Sequence, residues 1–77
     1  MKYLIFETEL GAKTRSAQEA ASRGAHDEDV TRYWWSWCET AAATWALSIP
    51  ESDVSRLSEA EQSALVDDVE WPASGGV

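Results

Sequence analysis

Apolar side chains are concentrated in one segment of the chain, residues 33–49, which holds four of the five tryptophans and the only cysteine. A repeat of two divides its first half between two faces of a strand: Tyr33, Trp35 and Trp37 on one, and Trp34, Ser36 and Cys38 on the other. A repeat of about 3.6 residues instead aligns one side of a helix: Trp34, Trp37, Cys38, Ala41 and Trp45. Each tryptophan that is buried contributes several kcal/mol of transfer free energy, so the other elements are expected to pack around this segment.

We favour a β-hairpin for this segment. Residues 45–49 alternate cleanly before Pro50, and bulky aromatic rings lose side-chain freedom in a helix. The turn would lie near Thr40 to Ala43, although the Asn-Gly or Asp-Gly pair that marks a tight hairpin turn is absent. The helix remains the alternative.

A strand and a helix are predicted before the hairpin. The run from Lys2 to Thr8 opens with apolar residues on both faces, which favours a central strand beside the hairpin. Thr8 is suited to cap a helix that runs to Arg23 and stops at Gly24. A second possible helix start is Ser16, because Ser16 and Glu19 have the spacing of a capping box. The side predicted to face the sheet is lined mainly by small residues: Leu10, Thr14, Ala17, Ala20, Ala21 and Gly24.

After Pro50, the pattern predicts a turn or short helical piece over residues 51–57 and a helix over residues 62–69. The clearest local signal is a capping box formed by Ser58 and Glu61. In this helix an inward face is predicted for Ala60, Ala64, Leu65 and Val69, and an outward face for Glu59, Glu61, Gln62, Asp67 and Asp68. Trp71 is expected to fold back on the core. Residues 73–77 are expected to form a flexible tail.

Together these elements predict an α+β fold: a small β-α-β-β-α domain over residues 1–72, with an antiparallel aromatic hairpin and helices packed on the sheet. The single cysteine allows no internal disulfide, and we find no signal sequence and no apolar run long enough to cross a bilayer. We therefore expect a cytoplasmic protein.

Charge is the main guide to function. The net charge is −8. From Tyr33 onward the chain has eight acidic residues and one basic residue, Arg56. Such a surface repels nucleic acid and membranes and attracts a basic partner. The alternative interpretation is that the charge only keeps a small protein soluble.

The sequence contains few residues arranged as in a catalytic site or a metal site. The adjacent residues His26, Asp27, Glu28 and Asp29 are typical of a solvated loop, because neighbours on a loop do not readily converge on one ion. Cys38 and His26 could form a nucleophile and base, but a buried, unreactive thiol beside Trp34 is expected instead. We therefore predict no enzymatic activity, no metal and no cofactor.

The layout resembles the small anti-CRISPR proteins of phages and prophages. The resemblance covers the size and order of elements, and rests on the opening strand Met1–Phe6, the helix end Ala20–Gly24 and the acidic second half. It implies an inhibitor that places carboxylates in the basic, DNA-binding channel of a CRISPR effector complex and so mimics DNA. The implied contact residues are Asp53, Glu59, Glu61, Asp67, Asp68, Glu70, Trp35 and Trp37. The alternative is an assembly module, monomer or homodimer, that associates through its tryptophan-rich strand.

Overall fold

The computed structural model describes residues 1–24 and 32–73, which form a small α+β domain, as predicted. Within them, three strands form an antiparallel sheet with the spatial order β1-β3-β2. In chain order the elements are β1 (Lys2–Phe6), α1 (Glu9–Ser22), β2 (Trp37–Glu39), β3 (Trp45–Ile49), a 3₁₀ helix (Glu51–Arg56) and α2 (Glu59–Ala64). The 3₁₀ helix confirms the short helical piece predicted after Pro50. The predicted tail lies outside the described residues from position 74 onward.

The aromatic segment forms the predicted hairpin, so the helical alternative is wrong. The connection between β2 and β3 is built on Thr40, whose N–H donates to the carbonyl oxygen of Thr44 at 2.8 Å. Thr40 Oγ1 in turn accepts hydrogen bonds from the N–H groups of Ala42 and Thr44, both at 3.2 Å. These side-chain bonds stabilise a turn that has no glycine. Ala43 accordingly takes a left-handed conformation, with φ of 63°.

Strand β2 begins at Trp37 and is shorter than the pattern from Tyr33 predicts. The Trp34 N–H donates to the Ser16 carbonyl oxygen at 3.2 Å, and the Trp35 N–H donates to Ser16 Oγ at 2.7 Å. Ser16 Oγ also donates to the Trp35 carbonyl oxygen at 2.6 Å. Because these backbone groups of Trp34 and Trp35 are hydrogen-bonded to Ser16 of α1, they are not available to extend the sheet.

The central strand is β3, so the prediction of a central position for β1 is wrong. β1 lies beside the hairpin as expected, with Leu4 opposite Leu47. On the outer edge of β1, Tyr3 forms an isolated β-bridge with Val66, through backbone hydrogen bonds of 2.9 and 3.0 Å. On the second face of β1, Tyr3 is contacted by Trp71 of a later segment, whereas Ile5 remains 39% exposed.

The hydrophobic core lies on the face of the sheet that α1 covers. Five of its members are buried. Leu4 belongs to β1, and Leu47 and Ile49 belong to β3. Trp35 precedes β2, and Leu57 follows the 3₁₀ helix. Four half-buried side chains pack around them: Phe6, Trp37, Val54 and Leu65. Nine large apolar side chains of the described residues therefore meet in this one core.

The segment after α2, residues 66–71, lies against the opposite face. The Trp71 ring meets the Tyr3 ring edge-on, with centroids 5.5 Å apart. The Ala41 N–H donates to the Glu70 carbonyl oxygen at 2.9 Å, which ties the segment to the hairpin connection. Trp71 remains 43% exposed, so it folds back onto Tyr3 and not into the core.

The capping of α1 follows the prediction. Thr8 Oγ1 accepts the Gly11 N–H at 3.1 Å, so the helix begins at Glu9 and the alternative start at Ser16 is wrong. At the other end Gly24 has φ of 90°, the left-handed conformation that ends many helices.

The buried face of α1 differs from the predicted one. The helix turns four residues inward: Ala12, Ser16, Glu19 and Ala20. Of these only Ala20 belongs to the predicted stripe, and Leu10 is 70% exposed. The exposed stripe lines a groove of about 390 Å³ together with Tyr33. Hydrophobic periodicity fails here because two of the inward side chains are polar and have hydrogen-bond partners.

The capping box of α2 is confirmed, but the helix is shorter than predicted. Ser58 Oγ accepts the Glu61 N–H at 3.2 Å, and Glu61 Oε1 accepts the Ser58 N–H at 3.0 Å. The helix ends at Ala64 because Val66 pairs with β1. The predicted inward face is wrong for Ala60 and Ala64, which are exposed, whereas Leu65 packs against the core.

The left-handed residue in the hairpin connection gives a prediction. Ala43→Gly should stabilise the fold by about 0.5 to 1 kcal/mol, because glycine has no Cβ penalty at positive φ. Ala42→Gly is the matched control, since Ala42 has no positive φ; it should be neutral or destabilising through added chain entropy. Guanidinium denaturation measures both, and a lower midpoint for Ala43→Gly than for the parent would contradict the assignment.

Candidate binding surface

A buried carboxylate on α1 organises the charged side chains around it. Glu19 is 4% exposed and receives hydrogen bonds from three arginines. Arg23 Nε and Arg56 Nε each lie 2.8 Å from Glu19 Oε2, and Arg15 Nη1 lies 3.4 Å from Glu19 Oε1. Arg15 and Arg23 stand one helical turn on either side of Glu19, whereas Arg56 comes from the 3₁₀ helix. The carboxylate therefore joins these two elements.

A second carboxylate, Asp53, connects this cluster to the core. The buried Trp35 indole N–H donates to Asp53 Oδ2 at 2.9 Å, and Arg23 Nη2 lies 3.0 Å from Asp53 Oδ1. The Arg23 guanidinium also lies 4.4 Å from the Trp34 ring centroid, within the range of a cation–π interaction. Both oxygens of Asp53 thus have partners inside the domain.

Two further ion pairs tie α2 and the chain beyond it to the rest of the domain. Arg15 makes a bidentate pair with Glu61, at 2.7 and 3.2 Å. Such paired N–H groups match the two oxygens of a carboxylate and hold it firmly. Lys2 pairs with Asp67 at the sheet edge.

The ion pairs shift the pKa values of the acids that they contain. Burial alone would raise the pKa of Glu19, but the hydrogen bonds from Arg23 and Arg56 outweigh it, so the pKa lies below the usual 4.5. The Trp35 hydrogen bond, with the ion pair to Arg23, holds the pKa of Asp53 below 3.8. Hydrogen bonds from Arg15 likewise lower the pKa of Glu61 below 4.5.

Half of the predicted contact carboxylates are therefore engaged internally. Asp53, Glu61 and Asp67 each pair with a basic side chain of the same chain. Asp53 and Glu61 are partly buried in these pairs, whereas Asp67 is 80% exposed and its pair with Lys2 lies at the surface. Asp67 and Asp68 also lie beyond α2, which ends at Ala64, and not on the outward face of a helix as predicted.

The two predicted tryptophans differ in their surroundings. Trp35 is 3% exposed and belongs to the core, so its expected role as an exposed contact is wrong. Trp37 is half-buried; its indole N–H donates to Glu9 Oε2 at 3.1 Å and its ring meets Tyr33 edge-on. Trp34 is 40% exposed instead. Trp35 is buried and Trp34 is exposed, the reverse of the expectation. The reason is that Ser16 of α1 binds the Trp35 backbone in the segment before β2.

Outside the internal ion pairs, the described residues hold seven acidic and two basic side chains. Four acidic and four basic side chains cancel within these pairs, so the remaining ten acidic and two basic side chains of the whole chain carry the net charge of −8. Within the described residues the remaining acids are Glu7, Glu9, Glu39, Glu51, Glu59, Asp68 and Glu70. None of these seven forms an ion pair with a described lysine or arginine.

Five of these acids lie at one end of the sheet, which we call the acidic end: Glu7, Glu9, Glu39, Asp68 and Glu70. Glu39 lies opposite Trp45, and on the other side Phe6 pairs with the same residue just before Glu7. Asp68 and Glu70 border the hairpin connection at this end. Of these five acids, the sequence analysis predicted only Asp68 and Glu70 as contact residues. The strand register, which brings Glu7, Glu9 and Glu39 to the same end of the sheet, was not known from the sequence.

The remaining predictions concern the thiol of Cys38 and a metal site. Cys38 is exposed on β2, so the expectation of a buried thiol is wrong. The predicted loop with His26, Asp27, Glu28 and Asp29 lies outside the described residues. In the described ranges no group of three or more His, Cys, Asp or Glu side chains is placed to hold a metal ion.

None of the helices in the described part of the chain is long and apolar enough to cross a membrane. No family model matches the chain, and no curated protein or solved structure is significantly similar to it.

The ion-pair cluster predicts acid-sensitive stability. Carboxylates whose pKa is lowered on folding stabilise the native state above their unfolded pKa, and this stabilisation is lost as the pH falls through the folded pKa. For Glu19, Asp53 and Glu61 the loss should begin below about pH 5 and continue to lower pH. Urea denaturation at a series of pH values measures this.

Two substitutions test the assignment to Glu19. Glu19→Gln should cost on the order of 3 kcal/mol at pH 7, because it leaves three guanidiniums without their shared anion, and should reduce the dependence on pH. Glu59→Gln, at an exposed position, should leave both properties nearly unchanged. Equal stability of the two variants at pH 7 would contradict a central role for Glu19.

Proposed function

We propose that this chain is a small acidic binding protein without enzymatic activity, an anti-CRISPR inhibitor that blocks target DNA binding by a CRISPR effector complex. The observation that carries the proposal is the distribution of charge: four bases are paired with acids of the same chain, while unpaired acids gather at one end of the sheet. On this proposal the protein works in the cytoplasm of the host cell and binds neither nucleic acid nor membrane.

The acidic end supplies the charge that such a function requires. An array of carboxylates can take the place of DNA phosphates on a basic surface and steers association at low salt. Of the contact acids predicted from sequence, Asp68 and Glu70 belong to this array, and Glu59 is exposed elsewhere. Glu7, Glu9 and Glu39 extend it.

The way in which the array is anchored also supports binding. Asp68 Oδ1 accepts the Val69 N–H at 2.9 Å, and the Glu70 backbone is tied to Ala41. Glu9 is positioned by the Trp37 indole. Carboxylates on an ordered backbone lose less conformational entropy on binding than carboxylates on a flexible chain.

A DNA-binding assay tests this proposal. With a panel of purified CRISPR effector complexes of different types, the chain should prevent target DNA binding by at least one of them in a mobility-shift experiment, with weaker inhibition at higher salt. If every complex binds DNA unimpaired at saturating chain, the anti-CRISPR proposal fails.

Two charge-matched variants identify the surface. Glu7→Gln with Glu39→Gln should weaken inhibition about tenfold, since two contacts to basic side chains are lost. Glu51→Gln with Glu59→Gln removes the same charge away from the acidic end and should have little effect. Equal losses in both variants would assign the effect to net charge and not to this surface.

The second candidate function is self-association through the tryptophan-rich strand. β2 pairs with β3 on one side only within the described residues, and Cys38 is exposed on it. An open strand edge is a template for pairing with a second chain. Sedimentation across protein concentration should show a monomer if the inhibitor proposal holds; a stable dimer that is lost on Cys38→Lys would favour the assembly module.

A further inference from the structure

A groove of about 230 Å³ opens on the face of the sheet opposite α1, beside the acidic end. One wall is the hairpin connection, with Thr40, Ala42 and Thr44. The other wall is the segment after α2, residues 66–70. Ile5 of β1 lies between them.

Apolar side chains form the floor of this groove and carboxylates form its rim. Ile5 and Val66 are 39% and 37% exposed, and Val69 is half-buried. Asp68 and Glu70 alternate with Val69 along the same wall and are exposed. In an extended segment such alternation separates apolar from charged side chains.

The groove is held open at both ends by the backbone. At one end Tyr3 and Val66 exchange two hydrogen bonds, and at the other the Ala41 N–H donates to the Glu70 carbonyl oxygen at 2.9 Å. The Thr40 hydroxyl is occupied by bonds within the hairpin connection. The walls are thus fixed before anything binds, which lowers the conformational cost of binding.

We propose that this groove receives one aliphatic side chain from a basic segment of the partner, while the flanking lysines or arginines of that segment meet Asp68 and Glu70. The inference rests on the proposed acidic binding function and adds the chemistry of the contact. Charge complementarity selects this occupant: an apolar floor alone fits many partners, but a rim of two carboxylates that form no ion pair with a described basic side chain disfavours an acidic segment, including one from a second copy of this chain.

Two labelled peptides probe the groove. The first is Gly-Lys-Arg-Leu-Arg-Lys-Gly, and in the second serine replaces leucine. By fluorescence anisotropy the chain should bind the leucine peptide about tenfold more tightly, because only leucine removes apolar surface of the groove from water. In an NMR titration the largest amide shifts should fall on Thr44, Val66 and Val69.

Variants of nearly unchanged shape separate the floor from the rim. Val66→Thr with Val69→Thr should abolish the preference for leucine while keeping the salt-dependent binding of both peptides. Asp68→Asn with Glu70→Gln should weaken both peptides alike, whereas the charge-matched Glu51→Gln with Glu59→Gln should not. The NMR spectrum of each free variant verifies that it is folded.

Each other outcome overturns the inference. Equal binding of the two peptides by the parent chain would show that charge alone acts, which leaves the acidic binding function standing without the groove. Failure of both peptides to bind would remove the groove as a basic-segment site, while the DNA-binding assay decides the inhibitor proposal separately. A concentration-dependent dimer that shifts the same amides without peptide would assign the groove to a second copy.

Discussion

The buried carboxylate of Glu19 is the constraint on which the arrangement of the helices depends. Its burial at 4% exposure is tolerable only because three guanidiniums reach it, and these come from α1 itself and from the 3₁₀ helix. Arg15 then extends to Glu61 on α2. A domain of this size has a small core, so the ion pairs supply orientation that apolar packing alone does not.

The same cluster determines what the surface offers. Because the arginines of the described residues at positions 15, 23 and 56 point to internal carboxylates, they do not neutralise the exposed acids. A protein with the same composition and evenly scattered pairs would present a surface of mixed sign. Here the division between paired and unpaired acids gathers five unpaired acids at one end of the sheet, and under the proposed function this is the surface that meets a basic partner.

Local signals in the sequence were sufficient for much of the fold. The Thr8 cap, the Ser58 and Glu61 capping box and the hairpin turn at Thr40 each depend on residues close in sequence. The inward face of α1 could not be predicted in this way, because one of the three arginines that bind the buried Glu19 is Arg56, a residue 37 positions away. For the same reason, sequence alone could not separate the free Asp68 from the paired Asp53.

The fold also separates the two roles of its carboxylates physically. The ion pairs of Glu19 join α1 to the 3₁₀ helix, whereas the groove lies on the opposite face of the sheet. Adjacent residues of one strand point to opposite faces, so Leu4 enters the core while Ile5 lines the groove. Substitutions of the groove carboxylates Asp68 and Glu70 thus change none of the ion pairs of Glu19. A small protein arranged in this way can vary its contact residues while the cluster that orients its helices stays intact.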